Sequence, residues 1–445
     1  MITVVISVYN VANFPDGGGH FWVYMQYVQG LRLLGCEVYW LEQLRPAGDP
    51  EQEARLVSAF LDRMKHFGLE GRTLLYALDR DREGDAGSIR FIGRTPSQAE
   101  AVLRQADLVL NFHYAIDPRV LAWARRTALM DIDPGLLQFW MSTGQLAVPP
   151  HDRYLTTGET VGTPAARVPD CGLRWIHTRP PVCLELWPFT YDPQAEAFTT
   201  VSSWSSTDWL KVTEDGRTVL RENTKRVSFL RFVELPRHTR QPLELALYLV
   251  DRDAEDRARL DQVEVEKDAE DRARLEHHGW RVRNSREVAG SPEAYRSYVQ
   301  RSRGEFSCAK PSCMELQNAW ISDRTLCYLA SGKPVVVQHT GPSSYLPHGG
   351  GMFRFTSLDE AAQALATINT DYQRHCRAAR EIAETHFDSK RILESVLNAA
   401  LSAGMTPPAA AAAPNGPLPR GGARPVRPRL KPLTGVHGRI SGGAL

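Results

Sequence analysis

The chain has 445 residues, 42% of them hydrophobic, which is enough apolar material for two domains with cores of their own. Its 53 basic residues nearly balance its 52 acidic ones, so there is neither a global basic field for nucleic acid nor an acidic solvating excess. The seven cysteines are odd in number and scattered, Cys308 and Cys313 lack zinc-ligand spacing, and all read as core thiols. No apolar run is long enough to span a bilayer, so a soluble, cytoplasmic protein is expected, with peripheral membrane contact as its only membrane role.

Ile2 to Tyr9 predicts a buried strand, followed by the loop Pro15-Asp16-Gly17-Gly18-Gly19-His20, a helix to about Leu34 and a strand from Cys36 to Leu41. This order is that of a Rossmann-type half, and without G-x-G-x-x-G it does not indicate a nicotinamide dinucleotide. Gly18 and Gly19 would let the backbone approach a phosphate or sugar closely. The alternation continues with a helix near Glu51 to His66, a strand near Thr73 to Ala77, a helix near Ser97 to Ala106 and a strand Asp107 to Asn111. The end of that strand, Asn111-Phe112-His113-Tyr114, is expected to face a cleft, which makes His113 a candidate catalytic residue.

Asp131-Ile132-Asp133 forms a D-x-D pattern of the kind that can hold a divalent cation, but Pro134 places Asp133 as a helix N-cap, so no metal ligand is assigned. Residues 151 to 188, rich in Gly, Pro, Thr and Trp, read as a loop region suited to a sugar or polyol.

A second set of elements begins with a strand Phe198 to Trp204 and a serine turn through Ser206, and continues with a strand Leu243 to Val250. Asp253 to Leu260 recurs verbatim as Asp268 to Leu275, a local duplication lengthening a charged helix. A short strand, Gly304 to Cys308, leads to Lys310, well placed for a diphosphate or carboxylate. Ser322 can cap a helix Asp323 to Ala330, Gly332 suits its left-handed stop, and Pro334 opens the buried strand Val335 to Val337. Free N–H groups at that helix start, with Ser322, Asp323, Arg324 and Thr325, would favour a diphosphate. Helical sequence runs from Leu358 to about Ala403 with a break near Asp388. The segment from Met405 onward carries only basic charge and reads as a disordered tail.

Leu329-Ala330-Ser331-Gly332-Lys333-Pro334-Val335-Val336 resembles the A-x-G-x-P-V-V segment of glycosyltransferases of the GT-B fold, group 1 type. Gly18-Gly19 with Leu31, Leu34-Gly35 and Val38 resembles the opening of the same family, and Asn111 to Tyr114 its histidine-bearing strand end. The resemblance implies an α/β chain of two Rossmann-like domains with an interdomain cleft. Residues 1–190 would form the acceptor domain, 191–403 the sugar-nucleotide domain with its final helix (Arg391 to Leu401) returning to the first, and 404–445 the tail. It implies metal-independent transfer of a sugar from a nucleotide-diphosphate sugar to a small-molecule or glycan acceptor, without a cofactor and without nucleic acid as a partner. His113 would lie at the reacting sugar, with His20 and Asp16 as further catalytic candidates. Gly18, Gly19, Lys310, Ser322, Asp323, Arg324 and Thr325 would hold the donor. Where the family carries a glutamate five residues before the glycine, this chain has Cys327, which keeps two alternatives open: a sugar-nucleotide epimerase of the same fold and a catalytically silent partner subunit.

Overall fold

The computed structural model describes residues 1–45, 48–79, 87–204, 209–214, 217–249 and 262–402. Ser205 and Ser206 of the serine turn, Val250, the first copy of the duplicated octapeptide and the tail from residue 403 lie outside the described residues.

Two sheets organise the chain. The first half contributes strands β1 (Thr3–Val8), β2 (Glu37–Gln43), β3 (Thr73–Asp79), β4 (Ser88–Ile92), β5 (Leu108–Asn111), β6 (Thr127–Asp131), β7 (Arg153–Thr156) and β8 (Trp175–His177). Helices α1 (Gly18–Leu33), α2 (Pro50–His66), α3 (Pro96–Gln105), α4 (Pro118–Leu121) and α5 (Leu136–Ser142) cross between them. The strand order is β4-β3-β2-β1-β5-β6-β7-β8, parallel except for the β3–β4 pair. Because β1 lies between β2 and β5, the order reverses there, and the crevice beyond the carboxyl ends of β1 and β5 is the expected ligand position. Buried on both faces, β1 reads as an apolar run, with Val4, Val5, Ile6 and Val8 in the core.

The second half holds β9 (Phe198–Ser203), the antiparallel hairpin β10 (Trp209–Glu214) and β11 (Arg217–Glu222), then β12 (Leu243–Tyr248), β13 (Arg281–Asn284), β14 (Gly304–Ser307), β15 (Val335–Gln338) and β16 (Met352–Phe355). Its helices are α6 (Lys225–Arg231), α7 (Gln262–His277), α8 (Ser285–Ala289), α9 (Pro292–Arg301), α10 (Pro311–Leu316), α11 (Asp323–Ala330), α12 (Leu358–Thr370), α13 (Tyr372–His386) and α14 (Ser389–Leu401). The six-stranded sheet, β13-β12-β9-β14-β15-β16, is parallel throughout, with its reversal between β9 and β14.

Several expectations change. The helical stretch from Leu358 breaks at Asp371 as well as at Asp388, because each aspartate caps the next helix, accepting from Arg374 N and Lys390 N respectively. Asp133 is not a helix cap: α5 starts after Gly135, which holds φ +83° and donates its N–H to Gln138 Oε1 at 2.6 Å. Ser322 has the extended backbone of an N-cap, but its side chain makes no capping hydrogen bond. Gly332 takes the left-handed stop at φ +72°.

Helix α1 joins the halves. Trp22 Nε1 donates to Pro292 O at 2.8 Å, and a side chain at Gly18 would sit 2.3 Å from Ser291 O and 2.5 Å from Ala289 O. Helix α14 lies on α1, where a Gly30 side chain would collide with Leu393, and Arg126 Nη1 donates to Leu401 O. One hydrophobic cluster runs through both halves, including Val4, Trp22, Leu326 and Leu393.

Candidate functional site

The large cavity among the described residues, about 960 Å³, lies at the carboxyl edge of the first sheet. Its lining comes from the strand ends: Tyr9 and Asn10 after β1, Gln43 and Arg45 after β2, Phe112, His113 and Tyr114 after β5, and Ile132 and Asp133 after β6. Leu146 to Pro150 form a further wall. The cavity is therefore where the topology predicts ligands.

His113 stands in this cavity, as expected from the strand end. Asn111 Oδ1 accepts its backbone N–H at 3.0 Å, and its ring lies 5.1 Å from that of Tyr9. Burial, and then the positive charge of Arg45, lower its pKa to about 4, so near neutral pH the imidazole is uncharged. Such a group suits hydrogen bonding to a sugar better than proton abstraction, for which a pKa near the working pH serves best. His20 is buried with Nε2 2.7 Å from Tyr9 O, and Asp16 is exposed; neither lines the large cavity.

The end of β6 is fixed from below. Asp131 is fully buried, its carboxylate accepting from Gln138 Nε2 and Thr156 Oγ1 at 2.8 Å each and from Asp133 N at 3.1 Å. Burial first of all raises its pKa to about 7. The Tyr114 hydroxyl accepts the N–H groups of Ile132 and Asp133 at 3.0 and 3.1 Å. Asp131 is held inside the domain and Asp133 lines the crevice, and the Tyr114 hydroxyl joins them, 3.5 Å from Asp131 Oδ1 and 3.5 Å from Asp133 Oδ2.

Asp133 also lines a second, 10 Å³ cavity, together with Lys225, Lys310, Ser312, Cys313 and Trp320. Lys225 opens α6 and is 2% exposed; Lys310 directly precedes α10 and is 7% exposed. Lys225 lies 5.7 Å over the ring of Trp320, and its pKa falls well below the ordinary lysine value through burial, then through the charges of Arg324 and Lys310. Two lysines of the second half therefore line the same cavity as one carboxylate of the first. Lys310 was legible in sequence as a residue following a strand; Lys225 was missed, because the β10–β11 hairpin separates it from β9.

The start of α11 is brought to the same crevice, but its arginine is turned inward. Arg324 donates from Nε to Glu305 Oε1 at 2.7 Å, from Nη1 to Val201 O at 2.6 Å and from Nη2 to Ser307 Oγ at 2.5 Å. The fork joins α11 to β9 and β14, and its charge reaches the crevice only through space. Ser322 and Thr325 line a 20 Å³ cavity with Gln338, Thr340 and Arg354, while Ser322, Asp323 and Arg324 meet Gly19 across a 10 Å³ gap. A side chain at Gly19 would come within 2.7 Å of the Tyr295 ring, so Gly18 and Gly19 serve close approach of the two halves in this conformation. Cys327 is buried and accepts from Gln26 Nε2 at 3.6 Å, placing it on the contact with α1. Burial raises the pKa of Asp323 to about 7.

Among the described residues no helix is long and apolar enough to cross a membrane. No family model matches the chain, and no curated protein matches it in sequence. Solved structures do. HepE from Anabaena, in complex with UDP and glucose, is 13% identical, with a TM-score of 0.52 over 89% of this chain and 99% of its own. An alpha-glucosyltransferase in complex with UDP is 8% identical, with a TM-score of 0.54 over 89% and 99%. An alpha-glucosyltransferase in complex with UDP-glucose and DNA containing an abasic site is 9% identical, with a TM-score of 0.53 over 89% and 98%. At such identities the likeness is one of architecture: two parallel-sheet bodies facing each other across a crevice. The chain is built on the GT-B fold that these glycosyltransferases share.

Proposed function

We propose that the protein is a glycosyltransferase that moves a sugar from a nucleotide-diphosphate sugar to an acceptor hydroxyl without a metal ion. Residues 1–190 act as the acceptor domain and 191–403 as the donor domain. The observation that carries this reading is that Lys225 and Lys310 line one small cavity with Asp133, which also lines the large cavity. Buried cations of this kind attract an anion strongly, since desolvation and mutual repulsion both fall when a diphosphate arrives.

In transfer, the bond between sugar C1 and the diphosphate oxygen breaks and its electron pair leaves on the diphosphate, where Lys225 and Lys310 stabilise the growing charge. The acceptor oxygen bonds to C1, and its proton passes to the departing phosphate oxygen or to Asp133. His113, neutral, orients the donor sugar; Ser322, Asp323 and Thr325 contact the nucleotide; Arg324 positions α11. The lysines supply the positive charge that a metal supplies elsewhere, and the Asp131 carboxylate is taken up by Gln138 Nε2 and Thr156 Oγ1. UDP-sugars are the first donors to test, because the similar structures were solved with UDP or UDP-glucose.

One observation favours a silent relative: Cys327, at the glutamate position, is closed against Gln26. Calorimetric titration with UDP and UDP-glucose in EDTA decides. Binding with release of UDP on addition of acceptor supports the enzyme, binding without turnover supports the silent form, and dependence of turnover on Mg²⁺ or Mn²⁺ refutes metal independence.

A further inference from the structure

The cavity of the first domain also carries information about what it holds, an inference that rests on the glycosyltransferase reading above. At about 960 Å³ it lies near the upper end of ligand pockets, which span roughly 300 to 1,000 Å³. Its lining combines two chemistries. The run Leu146-Ala147-Val148-Pro149-Pro150 offers five consecutive side chains with no hydrogen-bonding atom, two of them prolines that lack an N–H as well. Pro118 and Ile116 extend the apolar surface. Of the polar lining residues, which include Asn13, Gln43 and His113, Arg45 is engaged with Tyr9 Oη at 3.0 Å and Asn10 Oδ1 at 2.6 Å, and the Asp117 carboxylate is held by Arg119 at 2.7 Å. Asp133 lies on the border with the lysine-lined cavity.

A polyhydroxylated ligand against the Leu146 to Pro150 run would lose water from each hydroxyl facing it and gain no side-chain partner, a penalty an apolar body does not incur. The rings of Tyr9, Tyr24 and Phe112 add flat apolar surface with little ordering entropy. We propose that the acceptor is an amphipathic alcohol, with a hydrophobic body lying on Leu146 to Pro150 and one hydroxyl presented at Asp133, toward the donor. The loop-rich segment 151–188, from which a sugar or polyol acceptor was expected, does not line this cavity.

The probes are 2-naphthaleneethanol, with one hydroxyl on an apolar body, and maltotriose, with hydroxyls on every face. Calorimetry on the full chain should find the naphthyl alcohol bound at least tenfold more tightly than maltotriose. Ala147→Asp, at an exposed position that leaves the core intact, and Val148→Asp should each weaken it at least tenfold, with UDP affinity changed less than twofold. With UDP-glucose, mass spectrometry should show a single hexose added to the naphthyl alcohol. Equal or tighter binding of maltotriose overturns the proposal, as does no naphthyl binding, or binding indifferent to both aspartates in variants that melt like the parent. Naphthyl binding lost in both variants, with no UDP binding in the parent, leaves the apolar ligand class standing and overturns the donor reading alone.

Discussion

Lys225→Met separates a ligand-binding lysine from a structural one. The side chain is 2% exposed, and its pKa is held down by burial, then by Arg324 and Lys310, so in the empty protein the charge is a burden on stability. A base whose folded pKa lies below its ordinary value costs stability while it is charged, and an apolar residue of similar length relieves that cost. Nearby acidic groups, Glu305 among them, offset part of that gain, which sets the expectation at about 1 kcal/mol, or a rise in Tm of about 2 °C. The same change should weaken UDP by roughly 1.5–3 kcal/mol, the range for a hydrogen bond to a charged group, or about 10- to 150-fold in Kd. Differential scanning fluorimetry without and with UDP reads both effects, and calorimetry fixes the second. A variant that melts lower than the parent and binds UDP unchanged would show that Lys225 holds the fold, and the site assignment would fall with it.

His113→Asn tests burial through pH. With its pKa lowered from 6.5 to about 4, the folded histidine resists protonation, so its contribution is intact above pH 6.5 and is lost as pH falls from 6.5 to 4, by at most about 3 kcal/mol. Asp131, Glu42 and Asp323, each raised to about 7, act in the opposite sense and lose stability as pH rises from about 4 to 7, so the difference between parent and variant is the quantity to measure. Identical urea midpoints for the two proteins at pH 4.5 and pH 7.5 would contradict this account. Arg324→Ala strands the fully buried Glu305 carboxylate and should destabilise by about 3–5 kcal/mol, whereas Arg324→Met with Glu305→Leu should recover most of it; a soluble single variant that only lost UDP affinity would return Arg324 to the ligand. Gly18→Ala pushes a methyl into the Ser291 and Ala289 carbonyls and should cost about 1–3 kcal/mol while increasing the radius of gyration in solution scattering; an unchanged radius and Tm would show that the contact yields freely.

What the sequence made legible was local. The run at β1, the glycine loop into α1, the strand end at His113 and the α11–Gly332–β15 turn each depend on hydrophobic period, caps and left-handed glycines within a few residues, and each appears where those signals place it. The β10–β11 hairpin and the antiparallel edge strand β4 were not seen, since their short stretches lack the uninterrupted apolar run of a central strand. Side-chain direction was the second blind spot. Arg324 sits at a helix start that suits an anion, but Glu305, 19 positions earlier, takes its guanidinium inward. Asp133 had a local reading as a cap, yet the cap belongs to Gly135, and the lysines that line a cavity with Asp133 come from the other half of the chain. Lys225 stands behind a hairpin, so its proximity to Lys310 is a product of packing and has no sequence period.

The two sides of the crevice differ in how ready they are for a ligand. The first-sheet side already encloses about 960 Å³, whereas the spaces around Ser322, Arg324 and Lys225 measure 20, 10 and 10 Å³, at or near the room one water needs. On the proposed reading, a nucleoside diphosphate at this position requires the second sheet body to move away from the first. That motion breaks Trp22 to Pro292, Asn318 to Pro134, and Glu159 to Ser343 and Ser344, contacts each worth about 0.5–1.5 kcal/mol or more where charge is involved. In the proposed reading the drive comes from Lys225 and Lys310, whose buried charges would gain from a diphosphate. Donor affinity is then the intrinsic affinity reduced by the fraction of molecules that are open. In the proposed mechanism, closure after binding would exclude water from the bond that breaks and bring Asp133 back beside the acceptor hydroxyl, so the contacts that oppose donor access would be the same ones that assemble the reacting geometry.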